Sequence, residues 1–112
     1  MTDDGHLPPR VLVDTTGVWT SVAPDTELSW SQLERVAVVN VVADNGYSEC
    51  FWVLSGGGNR VVAPVEIVMG AEDLNARLSR LPGFDAAELE HARRAEAEGV
   101  PGEWVCWQRV SA

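Results

Sequence analysis

Apolar residues recur at alternate positions over the first two thirds of the chain, a spacing typical of β-strands. Val and aromatic residues are frequent in these stretches, and turn sequences such as Asp44-Asn45-Gly46 and Gly56-Gly57-Gly58 separate them. Between residues 33 and 43 both alternating sets are apolar, which is typical of a strand covered on both faces. The pattern predicts a meander of antiparallel strands from residue 10 to residue 63.

After Pro64 the apolar period changes from two to about 3.6 residues. This period predicts a helix over residues 70–81, which ends at Pro82-Gly83. Asp85 and Glu88 form a capping pattern that starts a second helix, and Gly99 ends it. A last strand is predicted over residues 103–110. The predicted fold class is α+β: a curved antiparallel β-sheet of about six strands, with two helices near the C-terminus before the last strand.

The length of 112 residues fits one domain. Residues 1–9 lack periodicity and end in two prolines, so we predict a flexible leader followed by a single α+β domain over residues 10–112. The start of the chain lacks a signal-peptide pattern, and its apolar stretches are shorter than a membrane span. Cys50 and Cys106 stand in apolar surroundings, which predicts packed, reduced thiols. These features together predict a cytoplasmic protein.

The formal net charge of −9 indicates which classes of molecule the protein can bind. Nucleic acids and anionic membranes bind cationic surfaces, so both are predicted not to be partners. A basic protein partner would suit the charge, although acidity also serves solubility alone. All eight cationic side chains are arginines, and the absence of lysine excludes Schiff-base and phosphate-loop lysine chemistry.

Residues for catalysis or metal binding are sparse in the sequence. The two histidines are His6, in the predicted leader, and His91, on the predicted second helix, and a Ser/His/Asp or Cys/His arrangement would have to recruit one of them. The glycine run at 56–58 lacks the spacing of a phosphate-binding loop and is predicted to be a hairpin turn. Metal-ligand spacing is also lacking. We therefore predict a protein that is not an enzyme and that uses neither cofactor nor metal.

Tryptophan is the most distinctive residue type, with five copies in the chain. Core packing would account for most of them, but tryptophan and arginine also dominate binding hot spots. Trp19, among polar neighbours, is the tryptophan predicted to be the most exposed. The candidate binding residues are Trp19, Trp52, Trp104, Trp107 and Arg60.

Four segments of the sequence resemble a widespread family of small uncharacterised bacterial proteins: residues 28–36, 51–54, 78–85 and 104–107. The Trp-x-x-Leu-x-x-Val pattern that begins at Trp30 is also similar to a strand corner of bacterial pleckstrin-homology-like domains. That resemblance implies a curved half barrel closed by a helix and used for protein or ligand contact. The chain departs from that pattern because two helices precede a last strand and the basic phosphoinositide-binding loop is missing. Lipid binding is therefore not expected.

Two classes of function follow from the sequence. The first is a non-enzymatic protein-interaction domain, in its sharper form an acidic immunity-type inhibitor of a basic toxin. The alternative is a small-molecule-binding or enzymatic domain with a pocket between the sheet and the helix at 70–81. Such a pocket requires polar side chains that converge, with Asn40, Glu49, Cys50 and Arg60 as candidates.

Overall fold

The computed structural model describes residues 11–13, 15–20, 26–65 and 71–109; the predicted leader, residues 1–9, lies outside them. A short 3-10 helix, Trp30–Gln32, precedes the longest strands. The described residues form seven strands and two α-helices: β1 Val11–Val13, β2 Gly17–Thr20, β3 Thr26–Ser29, β4 Arg35–Val42, β5 Ser48–Gly56, β6 Asn59–Pro64, α1 Ala71–Ser79, α2 Ala86–Glu98 and β7 Gly102–Gln108.

The strands form two antiparallel sheets, one with the order β1-β2-β3 and one with the order β6-β5-β4-β7. The structure confirms the α+β class, the curved antiparallel sheet and the two helices before a last strand. It has seven described strands rather than about six. The division into two sheets follows from the 3-10 helix, which turns the chain between β3 and β4 so that β3 lies beside β6 in the other sheet.

Both hairpins of the larger sheet have the turns that the sequence predicts. Gly57 and Gly58 join β5 to β6 with φ of 57° and 81°, as a two-residue turn of type I′ requires. The glycine run is therefore a hairpin turn. Gly46, with φ of 88°, completes the turn between β4 and β5. The carboxamide oxygen of Asn45 supports this turn by accepting the backbone N–H of Tyr47 at 2.9 Å.

The second helix begins and ends where the sequence predicts. Asp85 is its N-cap, and its carboxylate accepts the backbone N–H groups of Ala87 and Glu88 at 3.1 and 3.3 Å. Gly99 ends the helix in the left-handed conformation, with φ of 72°. Neither helix in the described ranges is long and apolar enough to cross a membrane.

The hydrophobic core lies on one face of the larger sheet. Successive side chains of a strand point to opposite faces, and the set that contains Val36, Val38, Trp52 and Leu54 is fully buried. Helices α1 and α2 and the smaller sheet cover this face. They contribute the buried residues Leu74, Leu78, Ala92, Val18 and Leu28.

Candidate functional site

The second face of the larger sheet carries the other alternating set of β4, and part of this set is exposed to solvent. The prediction that β4 is covered on both faces is wrong for the end of the strand at Val41, because both helices lie on the core side, although Ala37 of the same set is fully buried. Val41 is 51% exposed and Val105 of β7 is 37% exposed, whereas Val36 and Val38 are fully buried. The apolar pattern of β4 thus continues onto a surface that no described element covers.

We call this surface the open sheet face. Its members alternate with the core residues along all four strands, and most of its central side chains are apolar and half-buried. At its centre, Val53 pairs with Ala37 on β4 and with Val62 on β6. The open sheet face consists of Arg35, Ala37, Val39 and Val41 of β4, Glu49, Phe51, Val53 and Ser55 of β5, Arg60 and Val62 of β6, and Glu103 and Val105 of β7.

The open sheet face forms a shallow concavity of about 880 Å³, with Phe51 and Val53 in its lining. Ligand pockets normally enclose most of the surface of a small molecule. A small molecule on this broad, open sheet surface would keep one side in water. The shape therefore favours another apolar surface as the occupant.

Charged groups stand at opposite ends of the apolar centre. Ser55 lies between Arg35 and Arg60 in one cross-strand row, so two arginines flank a serine at one end. Glu49 pairs with Val41 at the other end. Arg35 Nη2 also lies 3.1 Å from Glu103 Oε2, and because both side chains are partly exposed this ion pair stabilises the fold only slightly.

The structure removes Trp52 from the predicted binding residues. Its side chain is fully buried, and its indole N–H donates to Asn75 Oδ1 at 2.6 Å. Its ring packs against Phe84 with the centroids 6.2 Å apart. Trp52 is therefore a core residue that joins β5 to α1, because it belongs to the strand positions that face the helices.

The other predicted binding residues do not form one site. Trp104 and Trp107 are half-buried on the core side of β7, where they pack at the margin of the core, and the Trp107 indole N–H donates to Pro82 O at 2.8 Å. Trp19 lies in β2, and its side chain is outside the described part of the chain. Arg60 is exposed and lies on the open sheet face.

The polar residues of the alternative pocket lie on opposite sides of the sheet. Asn40 and Cys50 face α2, and the Asn40 carboxamide donates to Val100 O at 2.7 Å. Glu49 and Arg60 belong to the open sheet face. The structure therefore does not bring these four residues together, and the two on the core side help to attach α2 to the sheet.

The two thiols are poor nucleophiles. Burial raises the pKa of the Cys50 thiol to about 11, and the Glu96 carboxylate beside it adds to the shift. Burial also raises the pKa of the Cys106 thiol to about 12, with further contributions from Glu88 and Asp85. Since the thiolate is the reactive form, both cysteines are expected to be inert at neutral pH.

We expect a disulfide reagent such as DTNB to react with Cys50 and Cys106 at least about 100-fold more slowly in the native protein than in urea. The raised pKa values also favour folding below the pKa of an unfolded thiol, about 8.5. This contribution is lost progressively as the pH rises from about 8.5, where the unfolded thiols ionise, through 11 to 12, where the folded thiols ionise, so the free energy of unfolding should fall over that alkaline range. Rapid labelling of either native thiol at pH 7 would contradict this expectation.

In the described ranges, His, Cys, Asp and Glu side chains do not gather in a group of three or more that could hold a metal ion. His91 Nδ1 lies 3.3 Å from Glu88 Oε1 one turn away on α2, in an exposed pair. No family model, curated protein or solved structure matches the chain. The resemblance to pleckstrin-homology-like domains stays a prediction.

The apolar members of the open sheet face, such as Val39, Val41, Phe51 and Val53, were not predicted as binding residues from the sequence. The signal was present in the two apolar sets of residues 33–43. It led to the wrong interpretation because an apolar pattern does not say whether the protein itself or a partner covers the second face.

Proposed function

We propose that this protein is a non-enzymatic protein-interaction domain and that the open sheet face is its binding surface. The observation that carries the proposal is the row of apolar side chains on β4 and β5 that lies opposite the packed core. Contiguous exposed apolar surface with a polar border is typical of protein-binding sites. Phe51 and Val53 form the centre of the surface, and Arg60 lies at its border.

Further support comes from the chemistry of the described residues. The two buried thiols resist ionisation. A concave face with apolar residues at its centre and charged residues at its ends suits contact with another macromolecule better than reaction with a small one. Unpaired, buried cysteines fit a reducing compartment, and we place the protein in the cytoplasm on this ground.

The finer form of the proposal is an acidic immunity-type inhibitor of a basic toxin. The net charge of −9 supports it, since opposite charge speeds the encounter of two proteins. Glu49 on the open sheet face and Asp44 in the adjoining turn would meet cations of such a partner. Nucleic acids and membranes stay outside the proposal because the charge opposes both.

The test is affinity capture from native lysate with three forms of the tagged protein: wild type, Val53→Arg and Ala97→Arg. Both variants add one positive charge, but Ala97 lies on the exposed side of α2. We expect wild type and Ala97→Arg to retain the same partner and Val53→Arg to lose it. Val41→Arg, at the more exposed end of the face, should also lose the partner and disturbs folding less.

Retention of the same partner by Val53→Arg and Val41→Arg would contradict the proposed surface. The salt dependence of partner binding tests whether the protein is an immunity-type inhibitor of a basic toxin. A basic partner that dissociates as the ionic strength rises would support the inhibitor, and a complex that is indifferent to salt would count against it. Circular dichroism of each variant shows whether loss of binding reflects loss of folding.

A further inference from the structure

The charges on the open sheet face are arranged so that the face complements itself. On β5, Glu49 and Ser55 stand at the two ends of the face, with Phe51 and Val53 between them. Ser55 lies between Arg35 and Arg60 in its cross-strand row. One end thus carries a pair of arginines around a small side chain, and the other end carries a carboxylate.

We infer that the open sheet face binds a second copy of this chain in a symmetric dimer. The inference rests on the proposed function, in that it names one partner for the same surface. A two-fold axis that runs above the open sheet face, opposite Trp52, parallel to the sheet and perpendicular to its strands, satisfies the arrangement. Such an axis places Glu49 of one copy over Ser55 of the other and Phe51 over Val53.

Each contact of this arrangement is chemically favourable. Glu49 enters the space above Ser55 between two guanidinium groups, of which Arg60 is exposed and Arg35 also pairs with Glu103. The ring of Phe51 meets the aliphatic side chain of Val53, so apolar atoms cover apolar atoms. The two-fold axis repeats both contacts, which gives two carboxylate–arginine contacts and two apolar contacts in one interface.

The size of the face sets the expected strength of the dimer. Four strands about 4.8 Å apart and about six residues long, at about 3.3 Å per residue, cover roughly 400 Å² in plan. A standard interface buries about 800 Å² of accessible surface on each partner. The dimer is therefore expected to be weak, with a dissociation constant on the order of 10 to 100 μM.

The net charge of −9 on each copy opposes association at long range. At about 0.15 M salt this repulsion is screened beyond roughly 8 Å, whereas the contacts of Glu49 with the arginines are made at close range. A weak dimer also leaves the face available to a tighter partner, which would displace the second copy. The dimer and the proposed protein-binding role are thus compatible and separable.

The experiment is sedimentation equilibrium at about 0.15 M salt, over roughly 5 to 500 μM protein, which brackets the expected constant. Wild type should dimerise, and Arg60→Glu and Glu49→Arg should each weaken the dimer at least about tenfold, because each variant sets like charges opposite each other. An equimolar mixture of the two variants should dimerise at least about tenfold more tightly than either variant alone, and not fully to the wild-type affinity because Arg35 still faces the arginine introduced at position 49. In the mixed dimer, the native Glu49 of one copy faces the native Arg60 of the other. The carboxylate introduced at position 60 faces the arginine introduced at position 49.

Recovery in the mixture separates pairing across the interface from damage to the fold, because a misfolded variant would not be rescued by another. If Arg60→Glu does not fold, Ser55→Glu replaces it, because it also sets a carboxylate opposite Glu49 and its mixture with Glu49→Arg should again dimerise more tightly than either variant alone. Ala97→Arg is the matched control and should leave the affinity unchanged.

A wild-type chain that stays monomeric at the highest concentration would overturn the dimer. A dimer that neither charge variant weakens would overturn this arrangement of it. The proposed function can fail separately. If wild type dimerises but Val53→Arg still captures every cellular partner, the dimer is supported and the role of the face in binding other proteins is contradicted. If wild type is a monomer and Val53→Arg loses a cellular partner, the proposed function is supported and the dimer is contradicted.

Discussion

Gly56→Ala should lower the free energy of unfolding by about 3 kcal/mol or more and the Tm by roughly 10 °C or more. A Cβ at Gly56 would stand 1.8 Å from Gln32 O and 2.9 Å from Glu34 N. Both atoms belong to the backbone, so a side-chain rotation cannot relieve the contact. The segment after the 3-10 helix would have to leave β5, which breaks the bond from Glu34 N–H to Ser55 O at 2.8 Å.

Thermal unfolding followed by circular dichroism measures this effect. Ser55→Ala, at the position just before Gly56 in the same strand, is the control and should change the free energy of unfolding by less than about 1 kcal/mol. A Gly56→Ala protein with a Tm within roughly 2 °C of the wild-type value would show that β5 and the 3-10 helix do not approach each other as the structure has them.

Trp52→Ala should cost about 4 kcal/mol, since it removes the largest fully buried side chain of the described core. The substitution leaves a cavity beside Phe84 and removes the donor to Asn75 Oδ1. The carboxamide of Asn75 also donates to Val65 O at 3.1 Å, so the loss loosens the attachment of α1. A loss of this size is a large part of the stability of a typical domain.

Urea unfolding of Trp52→Ala and Trp52→Phe separates the two contributions. Trp52→Phe keeps a ring in the core but leaves Asn75 Oδ1 without its indole donor, which should cost about 1 to 3 kcal/mol. Trp104→Phe, at a half-buried position without a described indole bond, should cost less than Trp52→Phe. Equal stability of Trp52→Ala and Trp52→Phe would contradict a core role for the indole ring.

The elements predicted best from the sequence are those with local causes. The Asp85 cap and the left-handed Gly99 define α2, and both act within one turn of the helix end. The Gly57-Gly58 turn is likewise determined by two adjacent residues that tolerate positive φ. Such signals need no knowledge of distant parts of the chain.

Features that depend on distant contacts were not predictable. The close approach of Gly56 to Gln32 joins residues on either side of a complete hairpin, and the sequence carries no sign of it. The division into two sheets depends on the same 3-10 helix. Trp52 and Trp104 have similar sequence surroundings, but only the helices decide that one lies inside the core and the other at its margin.

The candidate site was also not predictable from the sequence, because distant contacts decide which strand positions are covered. Val38 and Val39 are adjacent and chemically identical, yet one is buried in the core and the other lies on the open sheet face. The sequence predicts two apolar faces for β4 and cannot say what covers them. The structure shows that the protein covers one, and we propose that a protein partner covers the other.

Photo-cross-linking in native cells tests this assignment most directly. A photoreactive amino acid replaces Val53, at the centre of the open sheet face, or Ala97, on the exposed surface of α2. We predict that the chain substituted at Val53 forms a discrete cross-linked protein species on irradiation and that the chain substituted at Ala97 does not. Cross-linking at Ala97 with none at Val53 would contradict the role of the open sheet face in protein binding.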